Sequence, residues 1–232
     1  EFTEPVNYSV GVIIDGIDFT GIALGVSTFD VKQVEVLRGP QGTLYGANAL
    51  AGLINIVSND PTEDFYSEIS GSISEFGGKD FGVIISNSND NNFGYRLGFK
   101  NSKSDGFIKN VFLNRDDTND INETISRAKF TKNNDSTKLI LNIFYADIDN
   151  GYDAFSLDNT RTTYSDEPGY DRQRTTAVST KIEKILRNSD AIEILASFAD
   201  SELGYAYDED WSNTGICDKT LCDSKLFGFD WW

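Results

Sequence analysis

The chain has 232 residues, 39% hydrophobic and 12% aromatic, with 20 Gly, 4 Pro, no His, no Met and a formal net charge of −17. That acidity excludes a nucleic-acid partner, which needs a basic face for its phosphates. The lack of imidazole removes the commonest metal ligand and the usual general base near neutral pH, so neither an enzyme nor a metal or other cofactor is expected.

No apolar run approaches the roughly 18 residues of a membrane helix. Abundant Gly, Asn, Asp and Ser favour strands and turns. Without an initiator Met, and opening on Glu1 rather than on a basic and then apolar leader, the chain reads as a processed protein or an internal piece of a longer one.

In chain order, residues 10–15 (VGVIID), 32–38 (KQVEVLR) and 52–58 (GLINIVS) read as short buried strands, with Asp15-Gly16 as a turn after the first. Between the second and third lie Gly39, Pro40, Gly42, Gly46 and Gly52. Their spacing is neither the dinucleotide fingerprint nor a P-loop, and no helical pattern follows to meet a phosphate. Residues 59–64 (NDPTED) are polar and broken by proline, and read as a linker.

After the linker the period becomes two. FGYRLGFK (93–100) sets Phe93, Tyr95, Leu97 and Phe99 on one face and Gly94, Arg96, Gly98 and Lys100 on the other. Leu139, Leu141, Ile143 and Tyr145 share a face, as do Ile192, Ile194, Ala196 and Phe198. Residues 68–74, 81–86, 125–130 and 178–186 alternate less cleanly.

Polar four-residue turns at 89–92, 133–136 and 187–190 alternate with long polar stretches at roughly 104–123, 149–174 and 201–225. Short turns at one end and long loops at the other are the asymmetry of transmembrane β-barrels. A soluble antiparallel sandwich or barrel also alternates. It would need a second sheet to cover the apolar face that lies opposite Arg96 and Lys100.

VEVLRGPQGTLYGANALAGLINIVS (34–58) resembles the plug-domain signature of TonB-dependent outer-membrane receptors, and VGVIIDGIDFTG resembles the plug strand that precedes it. The resemblance implies the C-terminal part of a plug at 1–58, a linker at 59–64 and the first strands of a transmembrane β-barrel at 65–232. The fold class is mostly β, a plug remnant followed by an antiparallel, incomplete barrel meander. Receptors of this type close with 22 strands around a plugged lumen. About seven strands are expected here, with an eighth starting near Leu226. No leader, TonB-box segment or early plug strand is found, so an internal fragment is expected.

The function implied is energy-coupled uptake of a scarce large solute, a ferric siderophore or similar nutrient, in the outer membrane of a Gram-negative bacterium. Its partners would be a TonB-type energy-coupling protein, outer-membrane lipid and the solute. The alternative is a small outer-membrane barrel with a structural or adhesion role through its acidic loops.

By resemblance, Arg38 reaches acids on the inner barrel wall and latches the plug, with Glu35 on the same strand as a second charged member. Gly39, Gly42 and Gly46 make the sharp plug turn in a crowded lumen. Cys217 and Cys222, without histidine or further cysteine, cannot assemble a four-ligand zinc site, and a disulfide within an outer loop is expected. Asp208-Glu209-Asp210 could hold a hard cation, though a solvated loop accounts for the same three residues. The residues that contact the solute are not assigned.

Overall fold

Residues 8–22, 27–42, 49–152, 155–156, 160–186 and 190–215 are described in the computed structural model, which is almost entirely β. Cys217, Cys222, Gly46 and the strand expected at Leu226 fall outside the described residues.

Four strands form a first sheet: β1 (Val10–Ile14), β2 (Ile17–Asp18), β3 (Val31–Arg38) and β4 (Gly52–Ser58), in the order β2-β1-β4-β3. β1 and β4 pair in parallel, and β3 pairs antiparallel to β4. The β1–β2 hairpin turns on Asp15 and Gly16, both with positive φ (49° and 81°), which suits the Asp-Gly pair of a two-residue hairpin.

A second sheet of seven antiparallel strands follows. It comprises β5 (Tyr66–Ile73), β6 (Lys79–Ser88), β7 (Phe93–Ser104), β9 (Ile121–Asn134), β10 (Thr137–Gly151), β12 (Tyr170–Ile185) and β13 (Ala191–Ala206). Two short strands in its long loops, β8 (Lys109–Asn110) and β11 (Thr162–Thr163), pair with each other and tie those loops together. The sheet is open. Every residue of β5 is exposed, and exposed residues predominate in β13. These two strands are the free edges of an incomplete barrel.

Alternation has the expected consequence. Phe93, Leu97, Phe99, Ile192, Ile194 and Phe198 are exposed on the outer face, whereas Arg96 on the inner face is buried. The strands run further into the long-loop side than the sequence pattern does: β12 begins at Tyr170 and β13 ends at Ala206. A 16-residue strand spans about 50 Å at ~3.3 Å per residue, well beyond an apolar band of about 25 Å. Its outer end is polar on both faces, which erases the alternation there.

The inner wall is not polar throughout, as the sequence reading of residues 93–100 suggests. Ile125, Phe144, Ala146 and Ala177 of the wall pack with Ile14, Ile17, Phe19 and Ile56 of the first sheet into one buried cluster. Phe19 meets Phe144 edge-on, with centroids 5.1 Å apart. Because β9 is apolar on its inner face at Ile125 and polar further along, its alternation is unclear from sequence. Gly98 permits the close approach of the first sheet, since a Cβ there would lie 3.0 Å from the Phe29 ring.

Candidate functional site

One row of the inner wall runs straight across the strands. Ser86 on β6 faces Arg96 on β7, which faces Lys129 on β9, then Asn142 on β10 and Ser179 on β12. All five side chains are polar, and all five residues are buried. The first sheet and the segment after it supply the partners.

Arg96 clamps Asp30 from two nitrogens, Nη2 at 2.6 Å from Oδ1 and Nε at 2.8 Å from Oδ2. The side chains are only 9% and 4% exposed. Asp30 sits at the turn entering β3 with φ of 55°, a left-handed conformation that Asp tolerates better than most residues. Asn59 Nδ2 also donates to Asp30, at 2.8 Å. The Arg96 guanidinium lies 5.4 Å from the centre of the Tyr66 ring. A forked cation on a carboxylate is directional as well as strong.

Lys129 donates to the Ser58 carbonyl at 2.8 Å and lies 3.5–3.6 Å from Asp15 and Asp60. Ser179 Oγ donates to the Asp15 carbonyl and Thr62 N to Ser86 Oγ. One row deeper into the lumen wall, Arg127 donates from Nη2 to the Ser27 carbonyl at 2.9 Å and lies over the Phe144 ring. Its Nε and Nη1 are buried without a partner among the described residues. Burial pushes the Asp60 carboxyl up, but the Lys32 hydrogen bond and the charges of Lys129 and Lys32 outweigh it and hold the group below its usual range.

The residues expected as a latch lie elsewhere. Glu35 accepts hydrogen bonds from Gln33 and Asn55 within its own sheet. Arg38 is exposed at the tip of β3 and has no ion pair among the described residues. Alternation puts the two on opposite faces of β3, so the fold does not bring them together. β3 is an edge strand of its sheet and meets the wall at its start, by Asp30 and Val31, whereas Arg38 lies at its far end and β2, at the other edge, approaches β12 and β13.

Gly39 has φ of +89°, which explains the glycine by conformation. Among the described residues a Cβ at Gly39 or Gly42 would meet nothing within 4 Å.

Asp208 is not arranged as a cation ligand. Its Oδ2 accepts from Ser165 Oγ at 2.5 Å and its Oδ1 from the amides of Asp210 and Trp211. Among the described residues no group of three or more His, Cys, Asp or Glu could hold a metal.

The charged row is a docking surface between the two sheets. Sequence reasoning placed Arg96 on the correct face but missed Asp30, Lys129 and Arg127 as partners in docking. The available signal was the set of cations at inner-face parity, opposite a first sheet with acids at its turns.

The family model of the TonB-dependent receptor plug domain matches residues 3–53. The pesticin receptor of Yersinia pestis is 41% identical over 68 residues, which are 29% of this chain and 10% of that protein. The catecholate siderophore receptor Fiu of Escherichia coli K12 is 43% identical over 65 residues, 28% of this chain and 8% of that one. The crystal structure of the ferric yersiniabactin uptake receptor FyuA from Yersinia pestis superimposes with a TM-score of 0.77 at 22% identity. That match covers 87% of this chain and 33% of the other.

These matches identify residues 3–53 as a TonB-dependent receptor plug domain and support a fragment of such a receptor. The charged row is the seam between the first sheet, whose β1, β2 and β3 lie within the matched plug residues, and the seven-stranded wall. The chain spans about a third of the FyuA chain it superimposes on.

Proposed function

We propose that the chain is part of an outer-membrane receptor of a Gram-negative bacterium that takes up a scarce large solute, most simply a ferric siderophore, with energy supplied by a TonB-type coupling protein. One observation carries this reading: a plug sheet is held against the inner wall by enclosed charge pairs, while the wall's outer face is apolar and exposed. An apolar convex face suits lipid. A plug held by a few directional pairs suits controlled displacement, since polar seams can be broken and remade without unfolding either sheet. Receptors of siderophores among the relatives support the choice of solute.

In this reading residues 1–58 are the C-terminal part of the plug, 59–64 the linker and 65–232 the first barrel strands. Arg38 is a second latch, reaching an acid on the stretch of wall that faces β3, with Glu35 bracing the strand. Cys217 and Cys222 form a disulfide in an outer loop.

The test is iron-limited growth of the parent organism with and without the intact gene, on a panel of ferric siderophores. Loss of growth on at least one of them, reproduced by collapsing the proton gradient, is expected. Unchanged iron uptake without the gene would overturn the proposal.

A further inference from the structure

The long-loop end of the wall holds a space that the charged seam does not explain. Tyr152, Phe155, Tyr205, Tyr207 and Trp211 line a cleft of about 340 Å³. The strand ladder fixes its direction. Asn150, Asp171 and Tyr205 face one another across β10, β12 and β13, in the same alternation that points Phe144 at the plug. One step beyond the ladder Tyr152 N donates to the Gly169 carbonyl, which sets Tyr152 on that inner face as well. The cleft opens into the lumen mouth.

Its rings are already arranged. Phe155 and Trp211 stack with centroids 4.8 Å apart and planes 17° from parallel. Tyr152 and Tyr205 meet edge-on at 5.0 Å, and Tyr205 and Tyr207 lie 5.6 Å apart. Phe155, Tyr205 and Trp211 nevertheless stay 46%, 54% and 38% exposed, so hydrophobic burial is not what holds them. Polar staples do. Asp208, only 8% exposed, accepts from Ser165 Oγ and from the Trp211 amide, Asn213 Nδ2 donates to the Tyr164 carbonyl at 2.7 Å, and Asp166 N donates to the Ser212 carbonyl. Rings fixed in advance lose little freedom when a ligand arrives.

The loop sequences at this end are strongly acidic. Residues 105–120, 152–169 and 207–215 carry eleven carboxylates against three basic residues. Lys109 and Arg115 are paired with Asp116 and Asp117. Arg161 lies over the rings of Phe76 and Phe107, at 5.6 and 5.8 Å. The same end of the molecule thus already seats one of its own cations against two aromatic rings. Among the described residues no Lys or Arg lies over Phe155 or Trp211.

Resting on the reading of this chain as a solute receptor, we propose that the cleft is a subsite for a cationic organic group of the solute, a protonated or quaternary amine. Aromatic faces attract such a group through their quadrupoles, and the acidic mouth concentrates cations before contact. A cleft at the lower end of the usual ~300–1,000 Å³ suits one group of a larger molecule. The same chemistry disfavours a polyanionic solute at this position.

The test uses the full-length receptor in detergent, with benzyltrimethylammonium as the probe and p-toluenesulfonate as its anionic counterpart. Titration calorimetry should show saturable binding of the cation, weakened by added salt, and none of the anion. Trp211→Leu should weaken the cation about tenfold, and Trp211→Phe should keep it within about threefold. Hydrogen exchange of the plug amides reports whether each variant is folded. Equal binding of the anion, or cation binding within twofold of the parent in a folded Trp211→Leu receptor, overturns the proposal. A receptor that ignores the cation yet supports iron uptake overturns this subsite and leaves the transport reading standing.

Discussion

At the tight-turn end of the inner wall two buried cations have acidic or carbonyl partners on the first sheet or the segment around it: Arg96 with Asp30, Lys129 with Ser58, Asp15 and Asp60. At the long-loop end the loop residues 105–120, 152–169 and 207–215 carry eleven carboxylates against three basic residues in sequence, and a half-exposed aromatic cleft lies there. The same seven strands build both ends. An enclosed charge is tolerable only with its partner present, because desolvation is otherwise uncompensated. An exposed excess of one sign is tolerated by water and remains available to something that arrives. Charge balance, more than shape, separates the part of this wall that holds from the part that is left open.

Four measurements on the full-length receptor would sharpen or break that contrast. Arg96→Ala should have the largest effect, lowering plug docking by about 3–5 kcal/mol because Asp30 is left buried and unpaired. Hydrogen exchange across β3 and β4 reads it, and a change below about 1 kcal/mol would mean the pair does not hold the seam. Phe144→Ala should cost about 3 kcal/mol through the cavity left beside Phe19. Unlike the first, this loss should not respond to salt, and a strong salt dependence would refute an apolar origin.

The third concerns acid. Asp60 has its carboxyl held below the usual 3.8, so its contribution is present above that value and is lost as pH falls through the lower folded-state value. Because Asp60 is half-exposed, solvent screening keeps the effect below about 1 kcal/mol. Asp60→Asn should flatten the acid limb of a docking-versus-pH curve below pH 3.8. An unchanged limb would move the titration to another group. The smallest effect is expected from Arg38→Ala. Passive entry of a large antibiotic should rise, but less than with Arg96→Ala, since Arg38 is exposed at a strand tip. Solute affinity should stay within a few-fold. Greater leakage than from Arg96→Ala would make the strand tip the main latch.

The sequence made the barrel strands legible because alternation is a local property. Phe93, Leu97 and Phe99 against Arg96 reports two faces without any knowledge of neighbours. It failed at Ile125 and Phe144, where the inner face is apolar for a reason lying on another sheet. It chose Arg38 for a lock on the strength of a signature, while the observed pair joins Asp30 to a residue 66 positions away.

From the chain alone came the β class, the turn at Asp15-Gly16, the side with long loops and the resemblance carried by residues 34–58. These depend on backbone preference and on side-chain period, both fixed within a few residues. The tertiary structure decided which cation meets which carboxylate, that the wall has an apolar row beside its charged one, and that Trp211 stands over Phe155. Each of those joins residues far apart in the chain, and a contact between two strands depends on register across the whole sheet, which no single strand contains.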